Sequence, residues 1–177
     1  MAWLHIPGIL RRQREGLHEK PFCFLSRCTH RGGSVRTGSA ELSDDDRQAV
    51  HDEVAAQLES FWQVWRQTDY DRGIALYDDH PDFSFASEGT MWRSLAAFDS
   101  VFRPVFADVQ SQDVEFEETH IVVLGRDHVY SAQRGTYSRT LPDGTTTSPN
   151  TFAFTSVWVR SNGEWKVRLG HFSEPSF

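Results

Sequence analysis

The chain has 177 residues, of which 38% are hydrophobic, 13% aromatic and 24% charged. That length suits one domain with its own core, and 13 Phe with 6 Trp exclude a wholly disordered chain. A net charge of −7 speaks against general nucleic-acid binding, no apolar stretch has the length of a membrane helix, and two cysteines cannot build a disulfide framework.

Residues 1–40 hold seven Lys/Arg against two Asp/Glu, whereas residues 41–177 hold eleven against twenty-three. Pro7, Gly8, Gly16, Pro21, Gly32, Gly33 and Gly38 break up the first segment. The expected organisation is a poorly ordered basic arm over 1–40 and a folded domain over 41–177. The arm is Arg-rich like a transit peptide, but Pro7 and Gly8 interrupt any amphipathic helix, and no secretory apolar run is present. The expected location is the cytoplasm. His18, Cys23, Cys28 and His30 have a spacing foreign to zinc fingers. Cys28-Thr29-His30-Arg31-Gly32 resembles half of a Rieske motif, but no Cys follows to complete it. No metal is expected.

Ser43 followed by Asp44, Asp45 and Asp46 reads as a helix N-cap with acids in the first turn. Val50, Val54, Leu58, Phe61 and Trp65 then recur at helical spacing, and Trp62 widens the stripe. Thr68-Asp69 ends this helix, and Asp69 caps a shorter one that stops at Pro81. Residues 82–85 alternate as a strand. The spacing of Trp92, Leu95, Phe98 and Phe102 predicts a helix over 91–103, kinked or ended by Pro104. Strands are expected at 113–117 and 121–124, then at 128–140, 145–160 and 164–173, the last pair joined through Asn162-Gly163. Helices first and an antiparallel meander after them give α+β.

This order, with Thr68-Asp69-Tyr70-Asp71 and Ala75-Leu76-Tyr77-Asp78-Asp79, resembles the nuclear transport factor 2-like superfamily. The run Val157-Trp158-Val159, Asn162-Gly163-Glu164-Trp165-Lys166-Val167 and His171-Phe172-Ser173 is similar to the ending of its SnoaL-like and ketosteroid isomerase-like members. The resemblance implies a cone. A curved antiparallel sheet wraps the long N-terminal helix, shorter helices enclose a pocket, and two copies pair through the sheet's outer face. It does not fix a function, because this fold carries many chemistries.

Ketosteroid isomerisation needs a carboxylate base and two acidic donors. Phe61, Phe85 and Thr155 fall at those three places when the family pattern is laid on the chain, so that activity is not expected. The remaining polar candidates come from strand parity. Trp165, Val167, Leu169 and His171 alternate on one face, which three apolar neighbours mark as inward. Tyr130 joins His171 and Thr155 on that face if the intervening turns carry no bulge. His171 would be the acid or base, Tyr130 or Thr155 the oxygen donor, and Asp82 a further base. Trp62, Phe83, Phe85, Trp92 and Phe98 would line or fill an apolar chamber. No Gly-rich phosphate loop appears, so no cofactor is expected. Two readings stand: a cofactor-free acid/base enzyme of the isomerase, cyclase or dehydratase type acting on an apolar carbonyl compound, and a non-catalytic ligand-binding or dimeric assembly module. The expected partners are a small apolar ligand and a second copy of the chain, with no nucleic acid and no membrane.

Overall fold

A computed structural model describes residues 41–175. The basic arm expected over 1–40, with its Cys and His residues, lies outside the described residues. Ser43 caps α1 (Asp44–Arg66), its Oγ accepting the Asp46 N–H at 3.1 Å, and three acids face the positive end of the helix. The stripe Val50, Val54, Leu58, Phe61 and Trp65 is buried, together with Trp62 and Val64. Thr68 adopts φ 54° and breaks the helix, and Asp69 caps α2 (Tyr70–Ala75) by accepting the Arg72 N–H. Among the described residues, no helix is long and apolar enough to cross a membrane.

β1 (Ser84–Ser87) turns through Glu88 and Gly89 into β2 (Thr90–Trp92), and α3 (Leu95–Ala107) starts behind its Ser94 cap. The single helix expected over 91–103 is thus a strand and a later helix. Trp92 pairs with Phe85 across the β1–β2 turn, and the Ser94 hydroxyl restarts the chain as a helix. α3 also continues through Pro104. Proline cannot donate to the Ser100 carbonyl, but both residues are exposed, so solvent reaches the orphaned acceptor.

β3 (Ser111–Gly125), β4 (His128–Thr140), β5 (Asn150–Ser161) and β6 (Glu164–Ser173) complete the chain. β3 is one long strand where two were expected, with a bulge between Phe116 and Glu118. β5 begins later than expected because residues 141–149 form a wide turn, in which Leu141 N–H donates to the Thr145 carbonyl and Thr147 N–H to that of Arg139. The curved sheet is unclosed, in the order β2-β1-β6-β5-β4-β3. β1 and β6 run parallel, with Phe85 beside Gly170, and the other neighbours are antiparallel. The two margins differ. β2 is three residues long, whereas β3 has fifteen. On β3 the Arg47 guanidinium donates to the Val123 carbonyl at 2.8 Å, and Arg66 donates twice to that of Val114.

β6 carries a bulge that decides which way its end faces. Val157 pairs with Leu169 but Trp158 pairs with Val167, so Arg168 is an extra residue. Before it, Trp165 and Val167 are buried against the helices. After it, Gly170 and Phe172 face inward. A Cβ on Gly170 would lie 2.6 Å from the Phe85 ring, and Phe172 stacks on Phe152. Leu169 and His171 therefore turn outward, which corrects the inward placement expected for His171. Arg168 explains the bulge. It reaches sideways to buried Asp78, donating to Oδ2 at 2.7 Å, where the backbone of Leu76–Asp78 already bonds to Val167.

The interior is aromatic. Phe61 touches Trp62, Trp158, Tyr77 and Phe154, and the rings of Phe85, Phe98 and Phe102 follow at centroid distances of 4.5 Å and 4.3 Å. Each such pair adds about 1 kcal/mol beyond its buried area. Two of the buried indoles among these rings have acceptors. Trp62 donates to Gln133 at 2.8 Å, and Trp158 to Ser131, whose hydroxyl pairs with Ser156.

Candidate functional site

Tyr130, Thr155 and His171 do meet, but on the outer face of the sheet. Tyr130 lies opposite Val157, and Thr155 opposite His171. With Val157, Leu169 and Gly170 they line an open depression of about 140 Å3. The residues share a face because strand parity holds across β4 and β5. The face is the outer one because the Arg168 bulge inverts parity between Val167 and His171. Asp82 sits in an exposed turn, its backbone N–H donating to His80 Nδ1 at 3.1 Å. Trp62, Phe83, Phe85 and Phe98 are buried and Trp92 half-buried. Phe83, Phe85, Trp92 and Phe98 pack on one another, whereas Trp62 packs on Phe61, Phe116, Phe152 and Phe154 and donates to Gln133. Phe61 and Phe85, at two of the isomerase positions, are rings of this core.

A different polar cluster lies on the inner face, at the end of the sheet where β4 and β6 finish and β3 and β5 begin. Arg139 is 6% exposed. Its Nε donates to Gln112 Oε1 at 3.4 Å, and Gln112 Nε2 donates to the Trp65 carbonyl at the end of α1 at 2.7 Å. The guanidinium carbon stands 4.8 Å from the Phe106 ring of α3 and 5.6 Å from that of Tyr137. Tyr137 donates its hydroxyl proton to Glu174, and its oxygen accepts from Asn150 Nδ2 at 3.4 Å. Trp65 packs on Phe106, and its buried indole N–H has no acceptor among the described residues.

Electrostatics follow from this burial. Desolvation pushes the Arg139 guanidinium down to about 9, against the opposing pull of Tyr137 and Glu174. Burial raises the Glu174 carboxyl, and the nearby Glu88 charge adds to that, while the Tyr137 hydrogen bond and Arg139 oppose it. Burial also raises the Tyr137 hydroxyl, which therefore stays a donor. The cluster is rich in N–H and O–H groups and holds the Glu174 carboxylate, with Glu88 beside it. Such an arrangement can bind and polarise an oxygen. Its signal in the sequence is weak. Val129, Ser131, Gln133, Gly135, Tyr137 and Arg139 share the inner face of β4, but only the first is an ordinary core residue.

Comparison with known proteins bears on this geometry. The model of the SnoaL-like domain family matches residues 54–176. A search of curated proteins finds no match. A candidate dehydratase of the NTF2-like family from Streptomyces avermitilis superposes with a TM-score of 0.64 at 14% identity, covering 74% of this chain and 99% of that one. A candidate scytalone dehydratase from Novosphingobium aromaticivorans gives 0.65 at 7% identity, covering 76% and 89%. The association domain of C. elegans CaMKII gives 0.58 at 13% identity, covering 73% and 99%. At these identities the likeness is one of fold.

Proposed function

Since the chain belongs to the SnoaL-like domain family, we propose that its cone binds a small molecule with an apolar body and a carbonyl oxygen, held at the Arg139 end. The observation that carries this is the buried Arg139 guanidinium, set on the inner face beside Tyr137 and Gln112. A buried cation costs several kcal/mol in desolvation, and hydrophobic residues often serve stability as well. A ligand oxygen at that end would offset part of this cost. Two neighbours of like fold are named as candidate dehydratases, which accords with a small-molecule ligand. Binding is the favoured reading over acid/base chemistry, because His171 and Tyr130 stand on the other side of the sheet from this cluster.

The test is binding of 2-acetonaphthone and of naphthalene, followed by tryptophan fluorescence, with wild type and Arg139→Met. A charged hydrogen bond to the ketone predicts a preference for the ketone of about tenfold, lost in the variant. Equal binding of both compounds, or a preference that survives in the variant, overturns the reading.

A second reading, assembly, is favoured by one observation. Val122 and Leu124 on β3 and Leu169 on β6 are large, apolar and exposed, and Val122 pairs with Tyr130 beside the depression. There His171, Tyr130 and Thr155 would contribute to contact between two copies. The relative named as an association domain accords with it.

A further inference from the structure

Glu174 follows the last strand, and its side chain turns back onto the donor cluster. It accepts the Tyr137 hydroxyl proton, and its charge acts on Arg139. Among the described residues, its own backbone N–H makes one long contact of 3.4 Å, to Glu88 Oε1. Glu174 is half-buried and Pro175 exposed, so this carboxylate can leave without opening the core. The arrangement is also imperfect for Glu174, since a second carboxylate, Glu88, stands next to it. Beside the cluster, Phe152 and Phe172 are stacked at 5.5 Å with a 14° interplanar angle, and the Tyr137 ring lies 6.0 Å and 6.3 Å from the two. Flat rings thus flank the oxygen-binding groups. The Tyr137 hydroxyl that holds a carboxylate of the chain itself, with the Arg139 charge acting on the same group, suits the carboxylate of a ligand, and the aromatic flank suits a flat ring attached to it.

We infer that Tyr137, Asn150 and Arg139 form a carboxylate subsite filled by the chain's own Glu174, and that an aromatic monocarboxylate binds there by displacing it. This rests on the ligand-binding reading above and narrows its ligand class. The exchange is one carboxylate for another. The intruding body lies along the path that residues 174–175 take, beside Tyr137 and Phe172. Glu174 then acts as an internal competitor, and the affinity for the ligand is reduced by the fraction of molecules in which the subsite is filled.

The experiment uses the full chain and equilibrium dialysis with 2-naphthoate, its neutral isostere 2-naphthamide, and 2-acetonaphthone. Wild type, Glu174→Gln, Glu174→Ala and Tyr137→Phe are compared, with circular dichroism to check folding. Wild type is expected to prefer the carboxylate to the amide. Removing the competitor in Glu174→Ala and Glu174→Gln should raise naphthoate affinity about fivefold or more, with naphthoate still preferred to naphthamide. Tyr137→Phe should reduce the preference for the carboxylate. Naphthoate binding no tighter than naphthamide, or both Glu174 variants leaving naphthoate affinity unchanged or lower, overturns the inference. If the ketone and amide bind wild type while Glu174 has no effect, only the subsite assignment falls. If none of the three compounds binds, the ligand-binding reading falls with it.

Discussion

Asp78 is nearly buried yet charged. Burial opposes ionisation, but hydrogen bonds from Arg168 and Ser161 and the Arg168 charge outweigh it and hold the carboxyl below its usual range. The folded state therefore binds this proton more weakly than the unfolded chain does. The stability from the pair is complete above the ordinary Asp pKa of about 3.9 and is lost as pH falls below that value. Asp78→Asn should cost about 2 kcal/mol at pH 7, below the range for a fully buried pair because Arg168 is partly exposed. Urea unfolding at pH 7 and pH 3 checks this. The gap between wild type and variant should narrow at the lower pH, and a constant gap would show that the ion pair is not its source. Arg139 contrasts with Asp78. Burial favours its neutral form, so loss of the cation in Arg139→Met should alter stability by less than about 1 kcal/mol while removing ketone preference.

Among the elements, the strands depend on two close approaches. At the β3 bulge, a Cβ on Gly135 would come within 2.0 Å of the Glu115 carbonyl oxygen. Beyond the β6 bulge, one on Gly170 would press on the Phe85 ring at 2.6 Å. Gly170→Ala should cost about 1–3 kcal/mol in urea unfolding, and Gly135→Ala more, because its neighbour is backbone and cannot rotate away. Similar losses at both positions would contradict that distinction. These bulges also mark where reading the sequence stops working. α1 and α2 are plain in it, because a cap and a periodic stripe are local features, and Asn162-Gly163 announces its turn with φ of 52° and 85°. A bulge depends on a distant partner, here Asp78, and leaves no pattern in its own strand. Parity counted from Trp165 and Val167 therefore united His171, Tyr130 and Thr155 correctly as neighbours and assigned them to the wrong side. Arg139 escaped notice for a related reason. A charged residue at the end of an alternating strand looks solvated until Phe106 and Trp65 are folded over it.

For the whole molecule, the outer face raises the question of partnership. Leu169 is 38% exposed beside the depression and contacts none of the inner cluster. If two copies meet there, Leu169→Glu should shift a dimer to monomer in light scattering coupled to size exclusion, with ketone binding intact. A protein already monomeric at the concentrations used would remove the assembly reading and leave ligand binding untouched. The two faces of one sheet thus separate two possible roles, each open to mutation without the other.

The Arg47 and Arg66 contacts on β3 have a consequence for crowded solutions. A long bare strand invites a foreign strand to add on, and repeated addition is how sheets become fibrils. Here Val114 and Val123, near the two ends of that strand, already spend carbonyl bonds on guanidinium groups. At the opposite margin β2 offers only three residues to copy. Templated growth is discouraged at both borders, so the same aromatic-rich sheet that could nucleate aggregation is kept finite by two cations and a short strand.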